Sequence, residues 1–207
     1  MFKFSHIFYL LITIIIFKNN LSANNKNFIN DVEIFNQDQT INVVIEIPAG
    51  TIEKWEIGKD GIKIEHEISE GKLRKIDYLP YPFNYGFIPQ TLLPLDKKGD
   101  GDPLDVIIIG PSIERGSIIK VKPIGAILVL DNGEIDTKII TLSLNNTNLS
   151  KMNTINDIKK NYIGLFDIIL VWLKNYKGEV VEIKGMINKQ ASLEYIQKYH
   201  LEFKNKK

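Results

Sequence analysis

The chain has 207 residues, a formal net charge of +1, 44% hydrophobic and 25% charged residues, and no cysteine. That composition fits one globular domain and excludes a low-complexity or disordered chain. Near-neutral charge removes the bulk electrostatic basis for binding nucleic acid. The absence of cysteine excludes a lipid-anchored lipoprotein and a disulfide-stapled fold, so the core alone must stabilise the protein.

Residues 1–23 carry Lys3, an apolar run from Ile7 to Phe17, then Lys18 and a polar stretch ending in Ala23. The run is too short for a membrane-spanning helix, which needs roughly 20 apolar residues. A basic start, a short apolar centre and a terminal small residue read as a signal peptide cleaved after Ala23, with export to the periplasm. Leu21 stands where a small residue is usual, so an uncleaved membrane anchor is the alternative. Cleavage removes Lys3 and Lys18 and no acid, which shifts the formal net charge from +1 to −1; the mature chain then has no stable membrane association. Residues 24–40 are polar and Asn-rich and read as an N-terminal arm. Residues 41–207 form the single folded domain.

Within that domain INVVIEI (41–47), IEKWEIG (52–58) and IKIEHEI (62–68) alternate as strands do, with turns at Lys59-Asp60-Gly61 and at residues 69–72. Residues 78–94 are rich in Pro and Tyr and read as loop. LDVIIIG (104–110) is continuously apolar and reads as a fully buried strand. Asp131-Asn132-Gly133-Glu134 between residues 117–130 and 137–144 is a hairpin signal. Residues 162–176 lack Pro and predict a largely buried helix; 179–186 return to strand; 191–203 predict an amphipathic helix. The pattern gives a mainly β fold with α: a small barrel with two helices of the C-terminal half packed outside.

The chemistry concentrates in GDGDPLDVIIIG, residues 99–110. An EF-hand reading of residues 96–107 fails, because Lys98 and Ile107 stand where acids are needed. Gly101 and Pro103 permit a bend that brings Asp100, Asp102 and Asp105 to one centre. Three such carboxylates raise one another's pKa unless a cation lies beside them, and oxygen-only ligands suit Mg²⁺ or Mn²⁺. A solvated acidic turn is the plainer alternative. If Asn132-Gly133 is a two-residue turn, Asp131 pairs with Glu134, and Asp136 and Lys138 share their face. Glu46 interrupts its strand's alternation; Lys54 and Glu56 share a face opposite Trp55. His66 and His200 lack the spacing of a zinc site, and neither a serine-hydrolase elbow nor a P-loop is present.

Asp100-Gly101-Asp102-Pro103-Leu104-Asp105-Val106 resembles the signature of soluble inorganic pyrophosphatases of family I. YPFNYGFIPQT (81–91), IEIPAG (45–50) followed by EKWEI, DNGEIDTK (131–138) and Asn175-Tyr176-Lys177 resemble further blocks of that family, in its order. The resemblance implies a five-stranded OB-like barrel that hydrolyses pyrophosphate to two orthophosphates with Mg²⁺, Mn²⁺ or Zn²⁺ being possible substitutes. It assigns Asp100, Asp105 and Asp136 to a first metal, and Asp105 also to a second. Asp131 with Asp136, and Glu46 with Glu56, bind further metals. Asp102 is the general base. Lys54, Arg74, Tyr85, Lys138, Tyr176 and Lys177 hold the phosphates, and Tyr81 supports them. The spacing around Arg74 differs from the family's common form, and Lys72 and Lys75 are alternatives. The loop TLLPLDKK is longer than in the shorter members. A homo-oligomer, a hexamer in bacterial relatives, follows from the resemblance alone. Alternative readings are a hydrolase of another short phosphoanhydride, such as triphosphate, and a non-catalytic OB-like binding module.

Overall fold

The computed structural model describes residues 26–145, 148–178 and 180–206. The expected leader and its cleavage site lie outside the described residues. In chain order the strands are β1 (Ile41–Ile47), β2 (Trp55–Ile57), β3 (Ile64–His66), β4 (Ile68–Ser69), β5 (Lys72–Leu73), β6 (Asn84–Phe87), β7 (Asp105–Ile109), β8 (Ile118–Asp131), β9 (Glu134–Ile135) and β10 (Lys138–Ser143). Helices α1 (Ile155–Asn161) and α2 (Leu165–Asn175) follow, then β11 (Val181–Asn188) and α3 (Lys189–Lys206).

Five strands close a ring. Hydrogen-bonded neighbours run β1, β6, β7, β10, β8, and β8 pairs again with β1. All these pairings are antiparallel except β7 with β10. Strand β8 is long enough to serve three partners besides β9, which pairs with its end. Its first residues pair with β1, its middle with β10, and its second half with β11. The five-stranded barrel expected from the sequence is therefore present, with β11 as an extension along β8.

Strand β7 explains the continuous apolar run of its sequence. Ile107 and Ile109 enter one core cluster with α2, while Val106 and Ile108 enter a second cluster with Ile196 and Tyr199 of α3. Both faces are covered, so no polar position is needed between Val106 and Ile109. The arm is less detached than its composition suggests, for Val32 and Ile34 are buried and the backbone N–H of Asn42 donates to Ile34 O.

Three features depart from the sequence reading. The stretch 78–94 contains β6, all four of whose residues are buried. An extra helix, α1, precedes α2. It starts in a capping box, in which Thr154 Oγ1 accepts from Asp157 N and Asp157 Oδ2 accepts from Thr154 N, so two otherwise orphan donors are satisfied. Helix α2 begins at Leu165 rather than at 162, because Gly164 takes a left-handed φ of 81° that separates the two helices.

Gly86 of β6 has an extended backbone, and its requirement is space. A Cβ there would lie 1.9 Å from the backbone oxygen of Val44 on the neighbouring strand. Backbone of a closed barrel does not yield cheaply, so Gly86→Ala is expected to destabilise the fold by about 3 kcal/mol. Chemical denaturation checks this; an unchanged midpoint contradicts the packing.

Candidate active site

The barrel opens at one end into a cavity of about 310 Å³. Its position follows from the parallel pairing of β7 with β10. Val106 lies opposite Ile139, so the residues just before them, Asp105 and Lys138, start the two strands side by side. Asp102 and Asp100 enter from the loop before β7. Asp136 enters from the connection before β10, and Asp131 from the end of β8. Glu46 comes from β1, Lys54 and Glu56 from the β2 segment, and Tyr176 and Lys177 from the turn that ends α2. All these residues, together with Arg74, Tyr81 and Tyr85, line the one cavity. Every site residue expected from the sequence is thus brought together.

Local geometry explains how. Gly101 has φ +87°, the left-handed conformation that glycine adopts without strain, and it turns the loop. The Asp102 backbone N–H donates to Asp100 Oδ1 at 2.9 Å. Leu93 N donates to Asp102 O and Gly101 N to Leu93 O, which clips the loop at its base. Ile135 N donates to Lys98 O at 2.7 Å and joins this loop to the hairpin bearing Asp131 and Asp136. That hairpin has the expected turn: Asn132 and Gly133 have φ of 50° and 84°, and Asp131 pairs with Glu134. An aromatic wall backs the cavity. Trp172 stacks on Tyr176 with centroids 4.3 Å apart, and Tyr81 lies 4.5 Å from Trp172.

Lys138 is the electrostatic centre. Only 2% of its side chain is exposed, and Nζ donates to Tyr85 Oη at 2.7 Å, to Asp136 Oδ1 at 2.5 Å and to Asp105 Oδ2. Burial opposes its charge, yet Asp105 and Asp136 hold its proton well above the usual lysine range. Burial likewise opposes ionisation at Asp105, but the Lys138 ammonium and the hydrogen bonds from Lys138 and Tyr85 outweigh it and keep the carboxyl below its ordinary value. Asp136, although paired with Lys138, and three acids outside that pairing shift the other way. Burial pushes Glu46 up to about 8, against the pull of Lys54 and with added repulsion from Asp105. Burial pushes Asp100 and Asp136 to about 6. Asp102 is also raised, by burial and by the charges of Asp105 and Glu56.

The lining carries nine carboxylates against five cationic side chains. Among the described residues no three acids converge closely enough to cage an ion as they stand, and the Lys138 ammonium bonds both Asp105 and Asp136. The donor set nevertheless suits a hard divalent cation: it is all oxygen, in excess over the bases, and burial raises Glu46, Asp100, Asp102 and Asp136.

Three charged lining residues were not picked out as site residues from the sequence: Lys59, Glu67 and Glu134. A signal for Glu67 existed. Glu70 and Gly71 form a two-residue turn with φ of 52° and 75°, Ser69 pairs with Lys72 and Ile68 with Leu73, and the next pair outward is Glu67 with Arg74. Lys59 sits in a turn of ordinary composition and gave no signal.

Acids ringed by lysine, arginine and tyrosine at the mouth of a closed five-stranded barrel are a donor set suited to a polyanion paired with divalent cations. The chain belongs to the inorganic pyrophosphatase family, whose family model matches residues 43–204. It is 39% identical over 163 residues to an inorganic pyrophosphatase of Drosophila melanogaster, which covers 71% of this chain and 48% of the fly protein. It is 32% identical over 180 residues to the soluble inorganic pyrophosphatase 1, chloroplastic, of Chlamydomonas reinhardtii, covering 80% of this chain and 63% of the relative. The chain therefore spans from about half to just under two thirds of the length of these curated relatives. Its fold is similar to the crystal structure of an N-terminally truncated Trypanosoma cruzi vacuolar soluble pyrophosphatase in complex with PPi, with a TM-score of 0.81 and 27% identity over 85% of this chain and 77% of that one.

Glu46 gives a pH test of the site. Its folded value of about 8 lies above the ordinary 4.5, so the folded state holds the proton longer than the unfolded state. Stability from this group is full below the ordinary value and is lost as pH rises through the folded one. In metal-free buffer, Glu46→Gln is therefore expected to gain melting temperature over the wild type progressively from about pH 5 to about pH 9. A difference that stays flat across that range refutes the assignment.

Proposed function

We propose that the chain hydrolyses inorganic pyrophosphate to two orthophosphates in a divalent-metal-dependent reaction, with Mg²⁺ as the working ion. The observation that carries this reading is the convergence of the fourteen residues named from the sequence on one cavity, in a chain of the inorganic pyrophosphatase family.

In this reading Asp100, Asp105 and Asp136 hold a first cation and Asp105 extends to a second. Asp131 with Asp136, and Glu46 with Glu56, take ions that arrive with the substrate. Such cations supply Lewis-acid stabilisation of the phosphoryl oxygens and acidify the attacking water. Excess acid in the cavity fits this demand, since a bare pyrophosphate would be repelled by it.

The chain's own residues do the rest. Lys54, Arg74, Lys138 and Lys177 neutralise the phosphates, and the Tyr85 and Tyr176 hydroxyls donate to their oxygens. Lys138 is already fixed by three partners, so its ammonium is oriented before substrate arrives. Asp102 accepts the proton of the attacking water as the new P–O bond forms and the bridging P–O bond breaks. It suits that task because among the described residues it is paired with no cation within hydrogen-bond distance, and its raised pKa makes it a better base than an ordinary aspartate. The aromatic wall of Tyr81, Trp172 and Tyr176 positions the Tyr176 hydroxyl. Residues 1–23 are proposed to direct export to the periplasm.

Phosphate release from magnesium pyrophosphate tests the reaction. Asp102→Asn is expected to lower kcat by at least about a hundredfold. Equal rates for variant and wild type remove Asp102 as the base; no release by the wild type removes the function. A reporter fused to residues 1–30 is expected outside the bacterial cytoplasm, and its retention there removes the export proposal.

A further inference from the structure

Among the described residues, one carboxylate of the cavity lies within ion-pair distance of two different cations. Glu67 faces cations rather than acids. Its Oε1 accepts from Arg74 Nη1 at 2.7 Å, and its Oε2 lies 3.7 Å from Lys54 Nζ, which Glu56 Oε2 holds from another side at 3.4 Å. The same three residues are also joined through their backbones in a closed cycle. Glu67 N donates to Lys54 O at 2.9 Å, Arg74 N to Glu67 O at 2.8 Å, and Lys54 N to Arg74 O at 3.0 Å. All three side chains are mostly buried, at 20, 27 and 16% exposure for Glu67, Arg74 and Lys54.

Long side chains such as Lys and Arg lose much rotamer freedom when they bind an anion. A carboxylate that already fixes them removes part of that cost before the ligand arrives. Glu67 does so without consuming the donors. A guanidinium carries more N–H groups than one carboxylate oxygen can use, and among the described residues Arg74 donates from its side chain only through Nη1. The cyclic backbone contact sets where the three side chains start, and the ion pairs set where they end.

We propose that Glu67 is a positioning residue for phosphate binding: it clamps Arg74 and Lys54 in the orientation that receives the substrate anion. This rests on the pyrophosphatase reading of the cavity. It also selects Arg74, rather than Lys72 or Lys75, as the anion-binding cation of this hairpin. Lys72 is exposed on β5, and the Lys75 ammonium faces Glu53, outside the cavity lining.

The test compares wild type, Glu67→Ala and Glu67→Gln. For magnesium pyrophosphate hydrolysis, Glu67→Ala is expected to raise KM about tenfold while kcat changes little, the pattern of lost ground-state binding. Glu67→Gln keeps the shape and one acceptor oxygen and is expected to show a smaller rise; it also carries the test if the alanine variant fails to fold. In parallel, calorimetric titration with inorganic phosphate in magnesium buffer reads the clamp without turnover, and phosphate affinity is expected to fall in the same order. Unchanged KM and phosphate affinity overturn the proposal. So does tighter phosphate binding in the variants, which would make Glu67 a competitor of the anion, and so does a loss confined to kcat. A wild type that binds phosphate but releases none from pyrophosphate refutes the proposed reaction alone, and the titration still decides on Glu67.

Discussion

The site depends on one parallel contact in an otherwise antiparallel barrel. Because β7 and β10 run the same way and start level, Asp105 and Lys138 emerge side by side at one end. An antiparallel pairing would have put one of them at the far end of the barrel. Lys138 then anchors the charges around it. Its ammonium, buried and held by Asp105, Asp136 and Tyr85, lets two strand-terminal carboxylates remain ionised in a place that penalises charge. Asp100 and Asp102 are in no ion pair among the described residues, and burial raises the proton affinity of both. The cavity is therefore divided. One part is internally neutralised and rigid, and another is left with negative charge that an incoming cation would relieve.

Much of this was legible in the sequence. The aspartates at 100, 102 and 105, the Asn132-Gly133 turn and the buried strand that follows the signature all occupy the places their spacing implied. Local turn chemistry was sufficient there: Gly101 and Gly133 have the left-handed φ their positions demand. The family resemblance supplied what spacing alone does not, namely that β1, β2 and the end of α2 contribute to the same cavity. These are contacts between residues far apart in sequence, and no local pattern encodes them.

What escaped reading has physical reasons. Strand β6 hides among prolines and tyrosines because its short run is buried on both faces and is flanked by irregular chain, so it has no alternation to detect. Helix α1 is a single capped segment of seven residues with one buried side chain, Ile158, too short to establish a periodicity. Glu67 was visible only after pairing the hairpin outward from Glu70-Gly71, a step that charges on a short exposed hairpin do not invite.

The base of the signature loop has a further consequence. Leu93 is hydrogen-bonded to both Gly101 and Asp102, so the chain between them is a closed excursion, and its two ends stay adjacent whatever lies along it. Residues can be gained or lost near 94–97 without pushing Asp102 or Asp105 along the barrel axis. Length before Lys98 is thereby separated from the register of Asp102 and Asp105, which stay fixed against the strand floor.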